Sequence, residues 1–349
     1  MAAARSQLIA LSAVLCALLA PAAFAADGVS YSVVAHIPGG AGGAWDYAIV
    51  DSASGKLYLA QGGITALDLK SHVVTMGLVH AGQTHGVASL DDGRLAVDDS
   101  KTKEILVFNS GGEISASIPT SSLNPVNGMH ALDALVFEPH TGLLVAVNGE
   151  SGLLLLIDAR QTRVVGTIAV GGHPEFASAD GDGTLYLNVN HGKRSEIVGI
   201  GVAARSILQH YPLSGCEGAT GLAYDRVEHL LMAVCDNGVF KVIDAKGSKS
   251  VASIPVGAGA DAVMWDEKRR VAFVASGDSG TLSVISVQGA SKVALTQVLA
   301  TQKGTRLGAI DANTGTLYLP TAKFGPPKPP IPYPSVVPGS FEFLVIAPH

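Results

Sequence analysis

Short runs of alternating apolar and polar residues recur along the chain, separated by turns that open on an acid and close on glycine. The clearest copy is Ile310–Pro320, where Asp311 follows an apolar residue, Gly315 ends the turn and Leu317-Tyr-Leu begins a new apolar run. An aspartate that bonds its own backbone, followed by a glycine in a left-handed position, predicts the hairpin between two antiparallel strands. Aligned on the first apolar residue after the turn, the copies fall at Leu57, Leu95, Leu144, Leu185, Leu231, Ala272 and Leu317, spaced 38 to 49 residues apart. The turns carry Asp51, Asp91, Glu138, Asp180, Asp225, Asp266 and Asp311. Seven copies at that spacing mark a repeat architecture rather than a chance hairpin.

Each period has room for four strands. Leu154–Asp158 and Arg163–Val170 follow the third hairpin, and Phe240–Asp244 and Ser250–Val256 follow the fifth. Four short strands per repeat with no helical periodicity predict an all-β fold, a seven-bladed β-propeller of four-stranded antiparallel blades. The boundaries fall at about 42–83, 84–125, 126–172, 173–215, 216–258, 259–301 and 302–349. The last repeat runs out after a third strand near Phe341–Ile346. Its missing fourth strand is expected from the N-terminal segment Tyr31-Ser-Val-Val-Ala-His-Ile-Pro-Gly-Gly, which matches Ser250-Val-Ala-Ser-Ile-Pro-Val-Gly and would close the ring. One segment breaks the pattern, Lys323–Ser340. Its prolines predict a stiff extended loop packed over the domain.

Residues 1–25 carry Arg5, an apolar run Leu8–Leu19 and Ala23-Phe24-Ala25, the pattern of a cleaved export signal. The mature domain is then 26–349, periplasmic or secreted, with no later transmembrane segment, and expected as a monomer. Its charge argues against nucleic acid. The whole chain has 23 basic and 29 acidic residues and a net charge of −6, and the balance becomes more negative once Arg5 leaves. Charged residues make up only 15% of the chain and glycine is frequent, as many short strands joined by tight turns require. Cys16 departs with the leader. That leaves Cys216 and Cys235, which an oxidising compartment predicts to be disulfide-bonded. No haem-attachment, zinc-type Cys-x-x-Cys or dinucleotide motif is present.

The chain resembles the YVTN-repeat, YncE-like exported β-propellers over nearly all of its mature length. The resemblance rests on Gly172-His-Pro-Glu-Phe-Ala, Cys216-Glu-Gly-Ala-Thr-Gly-Leu-Ala-Tyr-Asp, Asp261-Ala-Val and Leu317-Tyr-Leu-Pro-Thr-Ala-Lys-Phe-Gly-Pro-Pro. The naming tetrad is present in degenerate forms, Tyr58-Leu-Ala-Gln, Val145-Ala-Val-Asn, Tyr186-Leu-Asn-Val and Tyr318-Leu-Pro-Thr. The resemblance implies the propeller fold and no single activity.

Five residues before each turn acid, the inner strand should meet the central channel near its mouth. Those positions are Asp46, Gly86, Asp133, Glu175, Thr220, Asp261 and Arg306. His85 and His130 adjoin the ring, His173 starts the fourth inner strand, and His191 is expected on a nearby loop. Converging carboxylates demand a bound cation, Arg306, protonation or separation across water. Asp46, His85, His130, Asp133, Glu175, Thr220, Asp261 and Arg306 are therefore the candidate ligand-binding residues, and Asp46, Asp133, Glu175 and Asp261 the candidate ligands of a divalent cation. The chain is expected to be a binding module for a small ligand or a protein. The alternatives are a metal-dependent, lactonase-like hydrolase that uses the acidic ring and a propeller subunit of a dehydrogenase.

Overall fold

The computed structural model describes residues 29–121, 132–327 and 334–349. The expected leader, His130 and the tip of the proline-rich segment lie outside them. Six of the seven turn acids nucleate their hairpins as expected. Asp51 accepts the amide of Ser54 at 2.9 Å, Asp180 those of Asp182 and Thr184 at 2.7 and 2.9 Å, and Asp311 that of Asn313 at 3.0 Å. The second repeat differs. Its turn amide, Arg94 N, is taken by Asp92 at 3.1 Å, while Asp91 faces outward to Arg160 on the third blade. The two adjacent acids compete for one cap, and the one closer to the turn takes it.

The hairpins extend into seven four-stranded antiparallel sheets, six of them in simple sequential order. The inner strands are Ala48–Asp51, Val87–Ser89, Ala134–Glu138, His173–Ala179, Ala219–Asp225, Ala260–Asp266 and Ala309–Asp311. The second strands lie between neighbouring blades and are covered on both faces. Leu230–Cys235 and Val271–Ser276 are buried at every position. Outer strands such as Ser206–Pro212 are largely exposed. Seven apolar clusters each bridge one pair of adjacent blades, from Tyr58 and Ile64 against Val97 and Phe108 round to Leu57 and Leu59 against Phe343 and Val345. The core is thus a ring of interfaces around an axis.

The seventh blade closes as predicted. Tyr31–Gly40 pairs antiparallel with Phe341–Pro348, with Ser32 opposite Ala347 and His36 opposite Leu344. Gln297 on the outer strand of blade six holds both backbone groups of Tyr31, donating to its carbonyl at 2.8 Å and accepting its amide at 3.0 Å. Gly39 lies against the ring of Phe341, where a side chain would have no room. The proline-rich segment is more ordered than a loop: Phe324–Pro327 and Pro334–Val336 form a small antiparallel ribbon outside the blades. A two-stranded ribbon leaves alternate amides unpaired, so it admits proline where a central strand would not. Among the described residues no helix is long and apolar enough to cross a membrane.

Candidate functional site

The chain enters each inner strand at the same end of the ring. Blade one shows how the entry is built: the Asp46 amide donates to Ala60 O at 2.9 Å and the Tyr47 amide to His85 O on blade two at 3.1 Å. Blade two is held by Asp98, a fully buried residue that the sequence reading passed over. Its Oδ1 accepts the amides of His85 and Gly86 at 2.7 and 2.8 Å, and its Oδ2 lies 3.5 Å from the His85 imidazole. In blade three the relation is reversed: Asp133 reaches across to accept the Gly149 amide at 3.0 Å. Thr220 in blade five donates to Ala260 O at 3.0 Å, tying blades five and six. The Cys216–Cys235 disulfide is formed, with Cα atoms 5.5 Å apart, and pins the same end of blade five.

These entries surround a cavity of about 1070 Å³ at the channel mouth. Of the predicted residues, Asp46, His85, Thr220, Asp261 and Arg306 line it. Asp133 and Glu175 do not, although their charges act on the lining groups. His130 lies outside the described residues. His173 starts its strand as expected and lies 3.2 Å from Gly149 O. His191 does not join the mouth. It ends the second strand of blade four and pairs with Glu196 at 3.1 Å, which also meets His210 at 2.9 Å. The lining adds Trp45, Gln61, Asp236, Asp278 and Phe324, none of which the inner-strand register could indicate.

Below the mouth, Tyr47 of blade one and Phe176 of blade four meet across the axis with ring centroids 4.7 Å apart. Both also line a second pocket of about 290 Å³ that continues along the inner strands among Ile49, Val263, Trp265 and Ile310. The aromatic pair belongs to the apolar lower pocket and does not line the mouth cavity.

The electrostatics of the cup follow from burial with too few counter-charges. Burial pushes Asp46 up to about 7, reinforced by Asp261 and Asp133 and opposed chiefly by His85 and then Arg306. Glu175 is likewise pushed up to about 7, by burial first and then by Asp133, Asp261 and Asp46. Asp133 and Asp261 are raised by burial, opposed by His85 and Arg306 respectively. The neighbouring Asp98 raises His85, and burial with the surrounding carboxylates keeps the Tyr47 phenol protonated. Arg306 meets Asp261 at 3.3 Å, whereas the Asp46 carboxyl accepts no hydrogen bond among the described residues.

The acids do not converge on a point. Among the described residues no group of three or more His, Cys, Asp or Glu side chains is placed to hold a metal ion, so Asp46, Asp133, Glu175 and Asp261 form a spread negative field rather than a chelate. Such a field around a cup of ligand size can hold a cationic or hydrogen-bond-donating molecule and exchange protons with it near neutrality.

No protein-family profile matches the chain, and neither does any curated protein sequence. Solved structures do. Kuenenia stuttgartiensis hydrazine synthase superposes with a TM-score of 0.69 at 12% identity, covering 81% of this chain and 92% of that one. A chain of the mitotic checkpoint complex also gives 0.69 at 12% identity, covering 90% of this chain and 95% of its own. At that identity the likeness is one of architecture, and what the chain shares with both is the β-propeller fold.

Proposed function

We propose that the protein is an exported binding module of the YVTN-repeat type, and that it takes a small ligand into the cup at the mouth of the channel. The observation that carries this reading is the cup itself. It is about 1070 Å³ in volume and lined by carboxylate, imidazole, guanidinium and indole groups. The degenerate tetrads and the Ala23-Phe24-Ala25 cleavage pattern support the family and the export, with a mature protein that begins after Ala25 in the periplasm.

Gly43 supplies the test. It lines the cup, a Cβ built on it meets nothing within 4 Å, and its φ lies outside the left-handed region. Gly43→Trp should project an indole into the cup and obstruct it while leaving the melting temperature of the free protein unchanged. A panel of charged and neutral small molecules, screened by thermal shift, is expected to contain compounds that stabilise the wild type and not Gly43→Trp. Stabilisation of both proteins alike, or of neither by any compound, would overturn the mouth as the site. N-terminal sequencing of protein from the periplasmic fraction checks the export; a chain that retains residues 1–25 there would refute the cleavage.

A further inference from the structure

We propose that the cup is a hydrolytic site for an uncharged carboxylic ester, with His85 as its acid–base group and the buried Asp98 as the residue that positions it. The proposal rests on the mouth being a binding site. Asp98 does not line the cup, and its side chain has no exposed surface. Its Oδ1 accepts the amides of His85 and Gly86 at 2.7 and 2.8 Å, and its Oδ2 accepts the Ser100 hydroxyl at 3.0 Å. Both carboxylate oxygens are thus fixed in place independently of the imidazole.

The imidazole completes the arrangement. His85 lines the cup, and its Nδ1 is buried 3.5 Å from Asp98 Oδ2 with no other partner among the described residues. A ring nitrogen buried beside a carboxylate carries the proton, so Nδ1–H faces Asp98 and Nε2 keeps its lone pair for the cup. The side-chain amide of Gln83, also in the lining, lies 3.5 Å from Nε2, in keeping with an N–H that meets an unprotonated nitrogen. An aspartate that sets the tautomer of a histidine at a cleft is the arrangement of a general base. Asp98 first, then Asp46 and Asp133, hold the ring above its ordinary range against the opposing effect of burial.

The rest of the lining limits the reaction. Among the described residues the cup has no serine, cysteine or lysine, and its two threonine hydroxyls are committed. Thr84 holds both backbone groups of Gly63, at 3.1 and 3.2 Å, and Thr220 donates to Ala260 O at 3.0 Å. No hydroxyl, thiol or amine is left to form an acyl intermediate, so the nucleophile is water. His85 Nε2 takes a proton from water as the water oxygen bonds to the ester carbonyl carbon. The tetrahedral intermediate then breaks its bond to the alkoxy oxygen, which receives the proton from Nε2 and leaves as the alcohol. The acid product loses its own proton to solvent. Carboxylates at the mouth disfavour an anionic substrate and favour departure of the carboxylate formed. Trp45 and Phe324, with ring centroids 5.9 Å apart, give the acyl or alkyl chain an apolar wall.

The experiment is turnover of p-nitrophenyl acetate and p-nitrophenyl butyrate by the exported chain across the neutral pH range, read as released p-nitrophenol. Saturable turnover is expected, rising with pH through one ionisation above 6.5, the ordinary value for imidazole. His85→Ala should lower kcat/KM about a hundredfold, with part of the loss restored by added imidazole, and Gly43→Trp should abolish saturation. Asp98→Asn should lower kcat about tenfold or more with KM little changed, and should move the ionisation downward. His36→Gln, on the outer strand of blade seven, should change nothing. Turnover that survives His85→Ala, or an Asp98→Asn variant that keeps the wild-type kcat and ionisation, overturns the proposal. If a compound from the thermal-shift panel binds in a Gly43-dependent way and neither ester is turned over, the hydrolytic reading falls and the mouth site stands. If nothing binds in that way and neither ester is hydrolysed, both fall.

Discussion

Replacing Asp46 by asparagine should stabilise the protein, and chiefly at neutral or alkaline pH. In the fold the carboxyl titrates at about 7 against an ordinary value of 3.8. From pH 7 down to about 4 the folded chain therefore keeps a proton that the unfolded chain has lost, and stability rises as the pH falls through that window. Above 7 the residue is ionised in both states, and the full cost of a buried charge is felt. Three pH units at 1.36 kcal/mol each set an upper bound of about 4 kcal/mol. The cup is open to water, and His85 and Arg306 already oppose the shift, so about 2–3 kcal/mol is the working figure. Asparagine keeps the shape and removes the charge. At roughly 2 °C per kcal/mol for a chain of this size, Asp46→Asn should raise the melting temperature by about 5 °C at pH 8. The gain should shrink to about a quarter of that near pH 4.5, where the wild-type carboxyl is already protonated. Because Asp46 helps to hold Glu175 up, adding Glu175→Gln should gain less than the two single changes combined. Differential scanning calorimetry at the two pH values reads all three proteins. An equal gain at both pH values, or a loss at pH 8, would show that the carboxylate is satisfied in the fold and would refute the reasoning.

Three further outcomes follow from the ties between blades. Removing the Cys216–Cys235 bridge as a double serine variant should cost about 3 kcal/mol, since the bridge closes a loop of sequence separation 19, and the melting temperature should fall by several degrees whether or not reductant is present. Asp98→Ala strands the amides of His85 and Gly86 and should cost about 2–4 kcal/mol in urea unfolding, with Asp98→Asn recovering roughly half. Arg270→Met leaves the fully buried Asp225 without its bidentate partner from the next blade and should cost about 3 kcal/mol; Asp225→Asn in the same chain should restore most of it, because the stranded charge rather than the lost pair carries the penalty.

Fold and site were legible to different depths. The turn acids and the strand periods are local chemistry, so the hairpins, the blade number and the N-terminal closing strand could be read directly from Asp51, Asp311 and Tyr31–Gly40. The ring positions were legible because they keep a fixed offset from those turns. One residue beyond that register the positions are Tyr47, Val87, Ala134, Phe176, Gly221, Ala262 and Leu307, and the two aromatics among them meet across the axis and line the lower pocket. Asp98, Asp236 and Asp278 come from the second strands and the connections after them, which return to the mouth only once the blade is folded. Phe324 reaches the cup from the proline-rich ribbon, and no period in the sequence points there. His191 was misplaced because the second strand of blade four runs to His191, longer than in its neighbours, and turns the imidazole onto Glu196 and away from the axis.

The mouth also shows where structure stops explaining the sequence. Seven equivalent positions open the inner strands, and the fold treats them alike: each lies at the entry to a hairpin that buries its apolar residues between blades. Gly86 fills its position with no side chain at all, and Thr220 fills its own with one hydrogen bond to the next blade. Asp133 ties down the Gly149 amide and Asp261 holds Arg306, so those two acids have local partners. Glu175 has Asn190 beside it and Asp46 has no side-chain partner, and these are the two whose carboxyls are pushed up to about 7. Stability alone disfavours both at neutral pH, by an amount comparable to what the disulfide or the Asp225–Arg270 pair contributes elsewhere in the ring. The proposed site in the cup accounts for that cost, since a ligand there would offset what the chain itself leaves uncompensated.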